Sequence, residues 1–550
     1  MGNPLNRPAD LVFVDGPVYL GGGRTDAGVA VTDGRISAVG LERVRARVGP
    51  GTEVVRLRGR LLIPGFTDAH VHAVAGGVEL GQCDLTGLST PEHCQRRVAE
   101  HAAAHPDEPW IRGSGWSMEV FPGGLPTREL LDAVLADRPA YLTNRDHHGA
   151  WVNSRALRLA GVDQHTPDPA DGRIERDADG VPTGMLQEGA TELVGRLLPE
   201  LTGADRLAGL LRAQRLLHSL GITSWQDALL GEFNGMVDPS DAYLAAATGG
   251  ALTARVNGAL WWDRDRGLEQ IDELVARRAG LTGHRLRART VKIMQDGIAE
   301  NHTAAMLEPY LTSCGCVGTN RGHSFVDPAA LPGYVTALDA LDFQVHFHAL
   351  GDRAVRESLD ALAWARAANA ERGNRHHLAH LQVVHPDDVP RFGQLGAVAT
   401  IQPLWASHEP QMDELTIPFL GPRRAGWQYP FGSLLTSGAT LAGGSDWPVS
   451  SPDPWAGIHV AVNRVAPGGD ERVFLPEQRI GLAAALDMYT AGSAFVNHAD
   501  NAGKIAEGYL ADLAVLDRNP FTEPSDEIAD TTVDLTFVGG TLVYSRPNVD

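Results

Sequence analysis

Between about residue 66 and about residue 495, eight short apolar runs alternate with Ala-, Leu- and Arg-rich stretches of helical character. That alternation is the pattern of parallel strands joined by helices. The runs cover residues 67–72, 222–226, 255–260, 290–294, 344–348, 378–382, 398–402 and 440–443. Eight of them predict an α/β chain built on a (β/α)8 TIM-like barrel over residues 66–495. A chain of 550 residues has room for such a barrel and additions to it. At both ends the pattern changes to short strands with Gly and Asp between them, in residues 10–63 and again in 511–544. Each end alone has too few strands to bury a face, so residues 1–65 and 496–550 are expected to pair into one small composite β-sandwich domain. Residues 76–205 exceed one strand–helix step. With Gly- and Pro-rich turns, Trp110, Trp116, Trp151 and a candidate turn at Asp177-Ala178-Asp179-Gly180, they read as an insertion after the first barrel strand that covers the mouth.

The first barrel run ends in His70-Val71-His72. Alternate residues of a strand share a face, so two imidazoles leave it together, a pairing that suits a metal ion. An isolated His-x-His carries little weight, but barrel active sites lie at the C-terminal strand ends, and other ionisable groups fall there too. The fourth run carries Lys292 and is followed by Gln295-Asp296-Gly297. The fifth ends in His346-Phe347-His348, the sixth holds His380, and the eighth leads through Gly443-Gly444-Ser445 to Asp446. Metal-capable residues therefore mark five strand ends. The lysine adds a chemical point. Of 47 basic residues only Lys292 and Lys504 are lysines. Arginine is always charged, whereas a buried lysine can lose its proton and act as a nucleophile. Lys292 sits in mid-strand, where an unpaired charge is costly; Lys504 lies in a Gly-rich turn.

Charge and motifs narrow the function. A formal net charge of -21 repels nucleic acid and anionic membranes. No run is long and apolar enough to span a bilayer. The start, Met1-Gly2-Asn3-Pro4-Leu5-Asn6, lacks a signal-peptide pattern, and Asn6 occupies the Ser/Thr position of a myristoylation signal. A cytoplasmic protein is expected. Cys83, Cys94, Cys314 and Cys316 are too few for a disulfide framework, and Cys314-Gly315-Cys316 has no second close pair for a zinc cluster. Thiols in a reducing compartment fit better. Gly444-Ser445-Asp446 lacks nucleophile-elbow spacing, and no phosphate-binding Gly-x-x-x-x-Gly-Lys occurs.

His70-x-His72, the strand lysine, the later histidines and the final Asp446 resemble the amidohydrolase superfamily of metal-dependent hydrolases. The closer resemblance is to the branch that includes the N-substituted formamide deformylases. It rests on Val291-Lys-Ile-Met-x-Asp-Gly297, His348-Ala-x-Gly-Asp352, Trp151-Val-Asn-Ser154, Pro182-Thr-Gly-Met-Leu-x-Glu188 and Gly443-Gly-Ser-Asp-Trp-Pro448. The resemblance implies one or two divalent ions, zinc foremost. His70, His72 and Asp446 would hold the more buried ion and His348 and His380 the second. Lys292 would bridge them as a carbamate formed with carbon dioxide. His346 shares a face with His348 and competes with it; His348 matches the family's His-Ala-x-Gly-Asp. His376, His377 and His385 are expected at the surface or behind the ligands. Asp446 would take a proton from a metal-activated water and deliver it to the departing amine, hydrolysing the C–N bond of an N-substituted amide or formamide. Substrate contacts are expected from His148, beside His147, and from Asp296, Asn301, His302, Trp405 and Trp447, aromatic loops suited to an apolar amine substituent. The same site could serve a cyclic amide, lactone or carbamate. A reading of another class, a non-catalytic binding or scaffold barrel, predicts lost ligands, and none is missing. The expected partners are a small-molecule substrate and a second copy in a homodimer.

Overall fold

The computed structural model describes residues 7–233, 237–469 and 472–547, so the reading of Met1–Asn6 lies outside the described residues. Eight parallel strands form the barrel: β1 (Phe66–Val71), β2 (Ile222–Leu230), β3 (Arg255–Trp261), β4 (Leu286–Met294), β5 (Gln344–Ala349), β6 (His377–His380), β7 (Val398–Ile401) and β8 (Leu441–Gly443). Each pairs in parallel with the next in chain order. The seam between β8 and β1 is drawn together just beyond the strand ends. There Asp446 N–H donates to His70 O and His72 N–H donates to Trp447 O, both at 2.8 Å. Strands β1, β2 and β5 are buried at every residue, as a parallel sheet covered by helices requires.

Two helices show how that cover is built. Helix Gly203–Ser219 begins at a capping box, Thr202 accepting from Asp205 N–H at 3.2 Å while the Asp205 carboxylate accepts from Thr202 N–H at 3.0 Å. It buries Leu210, Ala213 and Leu217, each leucine contributing about 1.5–3 kcal/mol. It also lies so close to helix Ala73–Glu79 that a Cβ at Gly77 would meet Gly209 O at 2.0 Å.

Inside the barrel the filling is polar where branched aliphatics are usual. Thr290 Oγ1 donates to Gln344 Oε1 at 2.7 Å and accepts from Asn257 Nδ2 at 3.1 Å. Gln344 Nε2 donates to Val496 O at 2.7 Å, and Gln226 Nε2 donates to Asn497 Oδ1 at 2.9 Å. These buried groups bond to one another, although Asn497 Nδ2 has no partner among the described residues, and the network stiffens the floor below the strand ends.

The stretch between β1 and β2, turn-rich in sequence, contains a six-stranded sheet. Its order is Gly172–Arg176, Pro182–Glu188, Gly149–Val152, Ala140–Asn144, Ile111–Trp116 and Cys83–Asp84. Trp116 and Trp151 are fully buried within it, in a cluster with Cys83, Cys94 and Leu142. Residues 177–180 make the turn of its outer hairpin, Gly180 N–H donating to Asp177 O at 3.0 Å. A second sheet joins the two chain ends: Leu513–Leu516 pairs antiparallel with Leu62–Pro64, and the sheet branches where Glu53–Arg56 joins Leu11–Tyr19. Among the described residues no helix is long and apolar enough to cross a membrane.

Candidate metal centre

Strand β1 delivers His70 and, one residue past its end, His72 to the cavity at the barrel mouth. Asp446 reaches them from the β8 side of the seam. Its Oδ1 lies 3.1 Å from His70 Nε2 and 3.1 Å from His72 Nε2. One ligand atom from each of the three falls within 4.8 Å of the others. Two local features make this approach possible. Gly444 has no side chain where a Cβ would stand 2.7 Å from His70 Cβ and 2.9 Å from His70 N. Asp446 itself holds φ 56°, a left-handed conformation unusual without glycine. Asp68 then ties the two strand ends, accepting from His70 N–H and Ser445 N–H, both at 3.0 Å. Burial pushes the Asp68 carboxyl up to about 7.

His346 stands one layer below this cluster, paired in register with Lys292 while His348 pairs with Met294. Its Nδ1 is 2.7 Å from Gln226 Oε1 and its Nε2 is 2.9 Å from His70 Nδ1. Gln226 Oε1 can only accept, so His346 carries its proton on Nδ1 and accepts at Nε2. His70 must then donate from Nδ1, which leaves the His70 Nε2 lone pair facing Asp446 and His72. The two histidines differ in depth: His346 hydrogen-bonds His70, whereas His348 lines the cavity. His377 lies below the site as well, its Nδ1 2.8 Å from Thr400 Oγ1 and its ring 3.9 Å from that of His346. His376 is held by Asp339 at 2.9 Å, and His385 is a half-exposed neighbour of Trp427.

The second group is His348, His380 and Lys292. His380 ends β6 at φ 78°, and both its ring nitrogens are buried with no hydrogen-bond partner among the described residues. Trp405 stacks on one face of the ring, 5.4 Å away and 9° from parallel. The His348 ring is 4.5 Å from that of His380. Its Nδ1 also lacks a hydrogen-bond partner, although Asp296 Oδ1 is 3.4 Å away. Asp446 Oδ2 faces His380 Nδ1 at 3.8 Å. A buried, unpaired ring nitrogen costs about 1–3 kcal/mol, so this much unmet valence calls for a ligand.

The charge states agree. Burial, with the neighbouring Lys292 charge, lowers His70 to about 3 and drives His348 well below the usual imidazole range. Burial opposes ionisation of Asp446, but His70 and His72 outweigh it and hold the carboxyl well below its ordinary range. Burial lowers the Lys292 ammonium to about 7. Imidazole nitrogens around one carboxylate are the donor set of a divalent cation such as zinc, and these residues fit one.

Of the expected substrate contacts, His148 and Trp405 line the cavities at this centre. Burial lowers the His148 imidazole, but the Glu188 carboxylate, 2.8 Å from Nδ1, outweighs that and raises it to about 9. Thr303 Oγ1 holds the other Glu188 oxygen at 2.6 Å. Four expected contacts have other roles. Asp296 is wholly buried behind His348 and accepts from the N–H groups of Ala305, Leu350 and Gly351 at 2.8–3.0 Å. Asn301 is buried and donates to His148 O at 3.3 Å. His302 packs between Tyr310 and Phe419. Trp447 packs on helix Ala73–Glu79, its ring 2.7 Å from where a Gly76 Cβ would stand. Loop position alone cannot separate a ring that faces substrate from one that pins a helix. Sequence reasoning did not single out Asp68, Gln226 or Asp146, which also lines the cavity. Asp68 and Gln226 are ordinary polar residues that meet Ser445 and His346 far along the chain, and Asp146 accepts from His148 N–H two residues on, at 3.0 Å.

A barrel with histidine, lysine and aspartate gathered at its C-terminal mouth is the architecture of a metal-dependent hydrolase. Residues 53–544 match the Amidohydrolase family, and the chain belongs to it. The protein named LONG AFTER FAR-RED 3 of Arabidopsis thaliana is 32% identical over 98% of this chain and 92% of its own length. The N-substituted formamide deformylase of Arthrobacter pascens is 27% identical over 98% of this chain and 99% of its own. An uncharacterized metal-dependent hydrolase from Pyrococcus furiosus superposes with a TM-score of 0.71 at 28% identity, covering 93% of this chain and 100% of that one.

Proposed function

We propose that this chain hydrolyses the C–N bond of an N-substituted amide, with open-chain formamides as the first class to test. The observation that carries the reading is the set of buried, partnerless nitrogens on His348 and His380 beside the His70–His72–Asp446 cluster. The resemblance to a formamide deformylase supports the bond type. His70, His72 and Asp446 would hold one divalent cation, zinc by their nitrogen and oxygen donors, and His348, His380 and Lys292 a second; when bound, the metal supplies Lewis acidity at neutral pH.

The chain's own groups do the rest. A Lys292 lowered to about 7 is about half amine at neutral pH and largely amine above it. It can add carbon dioxide, forming an N–C bond and releasing a proton, and so present an anionic oxygen that arginine could not. Asp446, anionic at neutral pH, accepts the proton of the attacking water and returns it to the amine nitrogen as the C–N bond breaks, giving a carboxylic acid and an amine. His148 has Nδ1 committed to Glu188, so Nε2 is the atom left to donate to the carbonyl oxygen of a substrate. Trp261, Phe233 and Met294 wall the cavity on one side, and Trp405, Met412 and Tyr429 wall its neighbour. Both suit an apolar or aromatic substituent.

The test is metal content by elemental mass spectrometry on protein purified without chelator or affinity metal, followed by a substrate panel led by N-benzylformamide. Release of formate and benzylamine by metal-containing protein is expected. Turnover restricted to lactones or cyclic amides would replace this reading, and metal-free protein that binds amides without turnover would favour a binding role.

A further inference from the structure

The long loop between β4 and helix Leu331–Ala340 carries a feature the hydrolytic site does not use. Leu311 and Val317 form an antiparallel bridge, with Thr312 N–H donating to Cys316 O and Gly315 N–H to Thr312 O, each at 2.8 Å. This makes a tight hairpin tip, anchored at its base where Leu311 N–H donates to Phe419 O at 2.9 Å. Cys314 and Cys316 are both exposed on it, and their Sγ atoms are 2.6 Å apart. Gly315 between them holds φ 75° with nothing within 4 Å of a would-be Cβ, so the turn that brings the thiols together is unobstructed. The Thr312 hydroxyl is 3.1 Å from Cys314 Sγ.

We propose that Cys314 and Cys316 form a reversible dithiol–disulfide couple that exchanges with low-molecular-weight disulfides. Cys314 is the attacking sulfur. The two sulfurs share one hydrogen bond, and with the Thr312 hydroxyl beside Cys314 Sγ it lowers the Cys314 thiol to about 7 and raises that of Cys316. The thiolate of Cys314 attacks one sulfur of the small disulfide, forming a mixed disulfide and expelling one thiolate, which takes up the Cys314 proton. Cys316 then gives up its proton and attacks Cys314 Sγ, closing the Cys314–Cys316 disulfide and expelling the second thiol. Two protein thiols are oxidised and one small disulfide is reduced to two thiols, so electrons and protons balance. The remaining cysteines stand apart: burial raises Cys83 to about 12 and Cys94 to about 11.

The experiment treats reduced full-length protein with oxidised glutathione at neutral pH and follows intact mass and peptide maps. Wild type should lose two hydrogens, mapped to the peptide holding Cys314 and Cys316, and regain them with dithiothreitol. Cys316→Ser should instead accumulate one glutathione on Cys314, at least several-fold faster than Cys314→Ser gains one on Cys316. A glutathione adduct that persists in wild type without ring closure would overturn the proposal. So would equal rates in the two variants, or thiols in the purified protein that a chelator must release from a bound metal before they react.

Discussion

Replacing His346 by leucine isolates the device that prepares His70. The side chains are close in volume, so the change removes two hydrogen bonds without opening a large cavity. In the wild type, the 2.9 Å bond from His70 Nδ1–H to His346 Nε2 holds the His70 proton away from the cavity. In His346→Leu that N–H would be buried without a partner. Moving the proton to Nε2 relieves the loss, because Asp446 Oδ1 accepts it at 3.1 Å. The metal-free variant therefore rests in the wrong tautomer, and cation binding must reverse it at a cost of about 1–3 kcal/mol. At 1.36 kcal/mol per tenfold, affinity should fall by roughly 5- to 150-fold. Competition against a chromogenic zinc chelator measures this, with urea unfolding of metal-free protein as the control for the fold. Gln226→Leu should show the same effect more weakly, since it removes only the group that sets the His346 tautomer. An affinity within about twofold of wild type in stably folded His346→Leu would refute the argument, because the expected minimum loss is about fivefold.

Lys292→Ala should lower metal content and hydrolytic activity together; full activity in that variant would remove the carbamate from the reading. Chelation should abolish activity and lower the urea midpoint, since a cation at about 100 times its Kd adds about 2.7 kcal/mol, and readdition of zinc should restore both. Gly444→Ala forces a Cβ to within 2.7 Å of His70 Cβ. It should cost about 1–3 kcal/mol by overpacking and leave the metal substoichiometric, read by unfolding and elemental analysis. In metal-free protein His148 titrates at about 9 against 6.5 for a free imidazole. Its folded-state value is raised, so its stabilising contribution is fully present below about pH 6.5 and is lost as pH rises through about 9. Glu188→Gln should flatten that part of the stability profile between pH 6 and 10, and an unchanged profile would count against the pair.

What the sequence made legible follows from periodicity, and what it hid follows from distance along the chain and from backbone conformation. His70 and His72 are readable because a strand repeats every second residue, and Lys292 stands out because arginine replaces lysine almost everywhere else. The eight apolar runs announce the barrel because buried parallel strands carry near-continuous apolar sequence. The sheet between β1 and β2 did not announce itself in this way. Its outer strand Gly172–Arg176 is only partly buried, and Ile111–Trp116 is interrupted by Gly113 and Gly115, so neither keeps a clean period. The left-handed backbone at His380 and Asp446 leaves no mark in composition, yet it turns two metal-capable side chains into the cavity at the ends of β6 and β8. The relay that selects the His70 tautomer joins residues 70, 226, 346 and 497, across separations of up to 276 residues between bonded partners. No local pattern could mark Gln226 or Asn497, because what distinguishes them is the distant buried donor each one meets, His346 Nδ1–H for Gln226 and Gln226 Nε2–H for Asn497. A residue that binds an ion can be read from its type and its strand, whereas a residue that decides which lone pair the ion meets is found only once the barrel has closed.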